Sequence, residues 1–275
     1  MYQKIVFTLW LPEQSDYGFF LCNFWGEYMN NLLKVCLCIP VIYSVSGWTG
    51  TTWVDVRGAH NIRADTNETR IKFMHQATNG FYFSAEATQS HNESFFGDED
   101  SRDGKEDGVT GVSQEIETRW QFPLGNGYSI APGLTTVFTK TNTHYRPFIQ
   151  GWKAFDNGIN LAARYRYNTV NDAHSDRKLD SDEYTRRKSH QFDIWIAYNI
   201  GRFGMSWNPR FRYQDGVDQG TGRDTYWEHT LAFSYKMDDD WTPYIELGSL
   251  DKTYVDDHGT HKNEFVGRLG ITKKL

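Results

Sequence analysis

Polar and apolar residues alternate along most of the chain after residue 51, in segments of about ten residues. In the segment INLAARYRYN, for example, Arg164 and Arg166 share one face of an extended strand, and Tyr165 and Tyr167 share the other. A period of two residues is typical of β-strands, and no helical period of useful length interrupts it. The pattern predicts twelve strands, at 52–61, 68–76, 81–90, 114–122, 128–138, 145–154, 159–168, 190–200, 203–214, 225–237, 242–251 and 264–273.

The connections between the predicted strands alternate in length. Those after every second strand are tight and carry turn sequences such as Asn79-Gly80. Long polar segments, such as 91–112 and 169–189, follow the third, seventh, ninth and eleventh strands, while the connections after the first and fifth are of medium length. Short turns at one rim and long loops at the other are typical of transmembrane β-barrels, and an even number of strands places both chain ends at the periplasmic rim.

The strands have an arginine-bearing face and an apolar face, which two architectures could accommodate. In a secreted, carbohydrate-binding β-sandwich the apolar faces would form the core, and in a membrane barrel they would contact lipid. Strands of membrane-spanning length favour the barrel. An arginine facing lipid at the bilayer midplane costs about 2–4 kcal/mol, so Arg164 and Arg166 must face a water-filled lumen. We therefore predict an all-β fold, a twelve-stranded antiparallel transmembrane β-barrel of the Gram-negative outer membrane.

The segment MNNLLKVCLCIPVIYSVSG, which begins at Met29, has the layout of a secretory signal peptide. It contains a polar start with one positive charge, an apolar stretch, and small residues before Gly47. A buried strand or helix of the mature fold is the alternative. We predict that translation starts at Met29 and that cleavage occurs near Gly47. Residues 1–46 would then be an N-terminal extension plus signal peptide, and residues 47–275 the barrel domain.

Composition narrows the choice of function. The chain has 275 residues and a net charge of −6, without the basic patch typical of nucleic-acid-binding proteins, so we expect no nucleic-acid partner. Cys22, Cys36 and Cys38 all precede the predicted barrel, which excludes disulfides within it. His258 and His261 in one loop do not make a metal site, and we expect neither a metal nor a cofactor. No nucleophile motif is present, so we expect no enzyme, with an outer-membrane hydrolase or protease as the alternative.

Several short motifs, in this order along the chain, are similar to those of one family. They are TTWVDVRGAHNIRADTNETRIKF, APGLTTVF, AARYRYN, DDDWTPYIELGSLD and RLGITKKL. They resemble the KdgM family of oligogalacturonate-specific porins and its N-acetylneuraminate-specific branch, over residues 51–275. The resemblance implies a monomeric outer-membrane channel surrounded by lipid. It also implies a narrow basic lumen that passes acidic mono- or oligosaccharides, of the sialic acid or oligogalacturonate class.

Arginine suits such a lumen because its guanidinium stays charged and its planar fork matches a carboxylate. Conduction requires many weak sites rather than one strong site. We predict the pore-lining residues to be Arg57, Arg70, Lys72, Arg119, Arg164, Arg166, Arg210, Arg212 and Arg268. The seventh and ninth strands would face the first, second and twelfth across the lumen. We expect about half of these cations to be held in ion pairs, with partners among Asp55, Glu86, Glu117, Asp193, Glu228 and Glu246.

Overall fold

The computed structural model describes residues 49–91, 109–139, 142–172, 188–218, 223–255 and 260–275. The predicted extension and signal peptide lie outside these ranges, as do most of the two longest predicted loops and His258. Within the described ranges, no helix is long and apolar enough to cross a membrane.

All the regular structure in these ranges is β-strand, and most strands are longer than ten residues. The strands are β1 Gly50–Asn61, β2 Thr66–Ala77, β3 Phe81–His91, β4 Val109–Trp120, β5 Phe122–Gly125, β6 Tyr128–Phe138, β7 Asn142–Ala154, β8 Ile159–Asp172, β9 Lys188–Ile200, β10 Phe203–Asp218, β11 Arg223–Tyr235, β12 Trp241–Val255 and β13 His261–Lys274.

The sheet closes on itself. Each strand pairs antiparallel with its neighbours in the chain, except that β4 and β5 do not pair with each other, and β1 pairs with β13, with Trp53 opposite Lys274. Gln121 separates β4 from β5, and both segments pair with β6, so together they form one strand of the wall. The result is a closed barrel of twelve antiparallel strands, which confirms the predicted fold and strand number.

The tight turns lie at one rim, as the sequence predicts. Gly80 and Gly158 adopt φ values of 91° and 87°, which a residue with a side chain rarely adopts. The predicted strand boundaries differ from the structure mainly at the opposite rim. There β8 continues to Asp172 and β10 to Asp218. The part of a strand that extends beyond the membrane has water on both faces, so its residues are polar on both sides. The polar–apolar alternation therefore ends before the strand does, and the predicted strands are too short at this rim.

Contacts between strands that are not neighbours show which face is the interior. Arg164 on β8 contacts Glu117 on β4, and Arg57 on β1 contacts Glu246 on β12. In a closed barrel such contacts can only pass through the lumen. The opposite face carries apolar side chains with large exposed fractions, such as Ile194 at 47% and Leu269 at 67%. The apolar faces therefore point outward and the charged faces inward, which excludes a sandwich with an apolar core.

Candidate functional site in the barrel lumen

The charged residues of the lumen form two clusters on opposite walls. The seam cluster, around the junction of β1 and β13, comprises Asp55, Arg57, Arg70, Lys72, Glu86, Tyr244, Glu246 and Arg268. The far cluster, centred on β8 to β10, comprises Glu115, Glu117, Arg119, Arg146, Arg164, Arg166, Gln191, Asp193, Arg210, Arg212 and Glu228. With twelve strands in the wall, β8 lies six strands from β1 in either direction.

The seam cluster is held by carboxylates that each serve two cations or several donors. Glu246 Oε2 lies 3.3 Å from Arg57 Nη1 and 3.5 Å from Arg268 Nη1. Glu86 Oε2 lies 3.2 Å from Lys72 Nζ and 3.5 Å from Arg70 Nη1. One carboxylate between two cations compensates part of both charges and leaves each cation partly available to a passing anion.

Asp55 is the most deeply buried carboxylate of the seam cluster. It accepts hydrogen bonds from the Arg70 guanidinium, from the Tyr244 hydroxyl at 3.1 Å and from Thr272 Oγ1 at 2.8 Å. Tyr244 reaches it because Gly270, its partner on β13, has no side chain, and a Cβ there would overlap the Tyr244 ring. This network joins β1, β2, β12 and β13, so its role is to hold the seam.

The far cluster contains a row of alternating charges across four neighbouring strands. Asp193 Oδ2 lies 2.9 Å from Arg164 Nε, and Asp193 Oδ1 lies 2.7 Å from Arg210 Nε. Arg210 Nη1 then lies 2.7 Å from Glu228 Oε2. The row follows the strand register, in which Asp193 faces Arg164 on one side and Arg210 on the other. Charge-assisted bonds of this length fix these side chains against the wall.

Glu117 extends the far cluster across the lumen. Its carboxylate lies 3.0 Å from Arg119 Nη1 and 3.5 Å from Arg164 Nη1, and it accepts a hydrogen bond from Thr135 Oγ1 at 3.3 Å. Thr135 is fully buried, and Phe148 beside it is 6% exposed. The lumen is therefore filled next to this wall by packed side chains.

Arg166 and Arg212 lie one row nearer the long-loop rim and differ from the other cations. Both face Gln191 in the register, Arg166 from β8 and Arg212 from β10. Gln191 Oε1 accepts a 3.4 Å hydrogen bond from Arg212, and its Nε2 donates to Asp193. Among the residues that the structure describes, no carboxylate lies within ion-pair distance of either arginine.

The structure places all nine predicted residues on the lumen side. Seven of them form ion pairs, more than the half we expected, and every one of the six predicted acidic partners takes part. The sequence reasoning missed Arg146, which lies 3.8 Å from Glu115. Arg146 shares its face of β7 with Phe148 and Trp152, so the face was not recognised as polar. Gln150 lies on the same face, so counting back from it in steps of two residues would have identified Arg146 as facing the lumen.

Comparison with known proteins decides the family. The profile of the oligogalacturonate-specific porin protein (KdgM) family matches residues 45–272. The chain belongs to the KdgM porin family.

In the ranges that the structure covers, no group of three or more His, Cys, Asp or Glu side chains could hold a metal ion.

Two curated relatives and one solved structure match most of this KdgM-family chain. The N-acetylneuraminic acid outer membrane channel protein NanC of Escherichia coli K12 is 26% identical over 254 residues, which cover 91% of this chain and 99% of NanC. The oligogalacturonate-specific porin KdgM of Dickeya dadantii is 24% identical over 194 residues, covering 68% of this chain and 78% of that porin. The solved NanC porin superposes with a TM-score of 0.67 at 24% identity, covering 81% of this chain and all of NanC (100%).

These findings agree with the geometry of the lumen. The chain is an outer-membrane β-barrel channel of the porin type, and its named relatives are channels rather than enzymes. The family resemblance found in the sequence motifs is confirmed.

Proposed function

We propose that this porin is an anion-selective diffusion channel for acidic mono- and oligosaccharides of the sialic acid or oligogalacturonate class. The observation that carries the proposal is the pair Arg166 and Arg212, two lumen arginines on either side of Gln191 without a carboxylate partner in the described ranges. Their charge is not compensated by a neighbouring carboxylate of the described ranges.

The pair suits a carboxylate for physical reasons. Arg166 is only 5% exposed, so its guanidinium has lost most of its contact with bulk water, and a bound anion would restore the lost interactions. Gln191 is held by Asp193 and therefore keeps the space between the two arginines at a fixed width. A carboxylate can bind either guanidinium and move between them, which suits conduction through a series of weak sites.

The seven paired cations would give the lumen a weak general attraction for anions. Their charge is largely compensated by acids on the neighbouring strands, so each attracts a passing anion weakly. Weak sites on two facing walls, with one stronger pair nearer the outer rim, would draw acidic sugars inward without trapping them. The names of the relatives, one for N-acetylneuraminic acid and one for oligogalacturonate, support acidic sugars as the solute class.

A charge-matched experiment in planar bilayers tests the proposal. The double variant Arg166→Gln/Arg212→Gln removes two unpaired charges, and Arg57→Gln/Arg268→Gln removes two charges that share Glu246. Reversal potentials in a salt gradient report anion selectivity. Single-channel block by N-acetylneuraminate and by trigalacturonate reports sugar binding.

We expect the first variant to weaken sugar block by about tenfold to hundredfold, the effect of losing a charged hydrogen bond of 1.5–3 kcal/mol. The second variant should keep most of the block. Equal effects of the two variants would contradict a special role for Arg166 and Arg212, and a wild-type channel without anion selectivity would contradict the function itself. We further propose that the barrel acts as a monomer and without catalysis. Light scattering in detergent and assays for lipid or peptide hydrolysis test these two points.

A further inference from the structure

Two tryptophans face the lumen on either side of a small residue, on the periplasmic side of the arginine rows. In the strand register Ala162 on β8 is opposite Trp152 on β7 and opposite Trp195 on β9. Neighbouring strands are about 4.8 Å apart, so the backbones that carry the two indoles are separated by about 10 Å. Only the methyl group of Ala162 occupies the wall between them.

Contacts with arginines confirm that both indoles point inward. The Arg119 guanidinium carbon lies 5.3 Å from the Trp152 ring, although β4 and β7 are not neighbours. The Arg164 guanidinium carbon lies 5.0 Å from the Trp195 ring. Both tryptophans are half-buried, so part of each ring is open to the lumen. Each indole therefore has a cation beside it and only the small side chain of Ala162 next to it on β8.

Phe148 on the same wall is packed to 6% exposure, whereas Trp152 and Trp195 are only half-buried, so the two indoles keep ring surface that the packing of the lumen does not use. The residues next along the same faces, Ala154 and Ala197, are small. A pyranose ring has apolar C–H faces as well as hydroxyl groups, and an aromatic ring offers such a face a contact surface. Two indoles beside a small residue form a recess about as wide as one sugar ring.

We propose that Trp152, Ala162 and Trp195 form a slot that binds the pyranose ring of the solute, with Arg119 and Arg164 placed to meet its carboxylate. This inference rests on the proposed function and adds a second criterion, the ring, to the charge. The slot lies four residues from Arg166 on its periplasmic side, which is about 13 Å measured along β8. A solute that enters from outside would meet the Arg166 and Arg212 pair first and the slot next.

Ring-shaped and acyclic sugar acids of the same charge separate this slot from simple charge attraction. Galacturonate has a pyranose ring, and gluconate is an open chain of nearly the same size with one carboxylate. Single-channel block by the two acids is measured for the wild-type full-length porin in planar bilayers. The variants are Trp152→Ala, Trp195→Ala and Ala162→Leu, the last of which fills the slot and keeps both indoles. Trp53→Ala is the control, because Trp53 lies on the same face of β1 as Asp55, on the opposite wall.

We expect wild type to bind galacturonate more tightly than gluconate. Each of the three slot variants should weaken galacturonate block by about fivefold to tenfold, the size of an aromatic stacking contribution, and leave gluconate block and chloride selectivity within about twofold. Trp53→Ala should change neither. Heat-modifiable migration in gels confirms that each variant is folded. If a tryptophan variant does not fold, the galacturonate block of Ala162→Leu tests the slot in its place.

Three results would overturn the slot. These are equal block of wild type by the two acids, equal losses for both acids in the slot variants, or an unchanged galacturonate block in Ala162→Leu. Failure of the proposed function has a different signature, in which neither acid blocks and the reversal potential shows no anion preference. In that case block by neutral methyl galactoside, sensitive to Ala162→Leu, would still support the slot.

Discussion

Glu117 on β4 and Arg164 on β8 form an ion pair across the lumen, with 3.5 Å between Oε2 and Nη1, although β6 and β7 lie between their strands in the wall. The sector that the pair cuts off is occupied by Thr135 and Phe148, which are 0% and 6% exposed. The pair therefore narrows the lumen from one side, and solutes pass beside it.

Neutralising Glu117 should make the channel more anion-selective and more conductive. In Glu117→Gln the carboxylate no longer holds Arg164 across the lumen, and one inward negative charge is lost. We expect the anion-to-cation permeability ratio to rise about twofold to fivefold, a change of 0.4–1 kcal/mol, as measured by reversal potential. Glu228→Gln is the matched control, because among the described residues Glu228 pairs with Arg210 alone, on the adjacent strand. A conductance increase of the same size in both variants would contradict a bridging role for Glu117.

A side chain at Gly270 should destabilise the barrel seam. A Cβ in Gly270→Ala would overlap the Tyr244 ring, which would then move away from Asp55. We expect a loss of about 1–3 kcal/mol in the free energy of unfolding, measured with urea in lipid vesicles. Gly267→Ala is the control, since a Cβ there meets no atom within 4 Å, and its effect should stay within about 0.5 kcal/mol. Comparable losses at the two glycines would count against this account of the seam.

The turn between β11 and β12 should contribute stability that depends on pH. Asp238 accepts hydrogen bonds from the backbone N–H groups of Trp241 at 2.7 Å and Asp240 at 2.8 Å. These bonds lower the pKa of Asp238 below its ordinary value of 3.8. A carboxyl with a lowered folded-state pKa stabilises the fold fully above its unfolded-state value, and the contribution disappears as pH falls through the folded-state pKa.

The variant Asp238→Ala reports this contribution. We expect it to unfold more readily than wild type at neutral pH, and the difference in unfolding free energy to shrink as pH falls below 3.8. Asp239→Ala in the same turn serves as the control. A difference between wild type and Asp238→Ala that stays constant from neutral pH to strongly acidic pH would exclude a role for the ionised carboxylate.

The mature protein should begin near Gly47. The predicted signal peptide starts at Met29, so neither the segment before Met29 nor the apolar stretch after it should remain in the membrane-inserted form. Intact-mass spectrometry of protein extracted from outer membranes measures this directly. A mature chain that retains residues before Lys34 would refute the cleavage site, and one that retains residues before Met29 would refute the start site as well.

Alternation along the chain was sufficient to predict the strands, their number and the direction of their faces. It succeeded because lipid and water on opposite faces impose the same two-residue period on every membrane-spanning segment. The period also placed Arg164 and Arg166 in the lumen, since an outward position would cost several kcal/mol. The identity of the family came from short motifs and not from the period.

The pairing of charges could not be predicted in the same way. Whether Arg166 has an acidic partner depends on which residues of β9 face it, and β9 presents Gln191 there and Asp193 one row away. A register shift of two residues would place Asp193 opposite Arg166 without changing any face. The bond between Glu117 and Arg164 depends further on the curvature of the wall, and Tyr244 reaches Asp55 only because Gly270 is small. These are three-dimensional properties that a periodic pattern does not contain.

The seam between β1 and β13 also determines how the barrel can assemble. Thr272 and Asp55, which are bonded across it, are 217 positions apart in the chain. All other strand pairs join neighbours along the chain or segments separated only by a short strand, so they can form progressively as local hairpins. Among the strand pairs that the structure describes, closing the seam carries the largest loop-closure entropy, so we expect it to form last. Until then β1 and β13 are two open strand edges, so the seam is where a factor that assists membrane insertion would have to act.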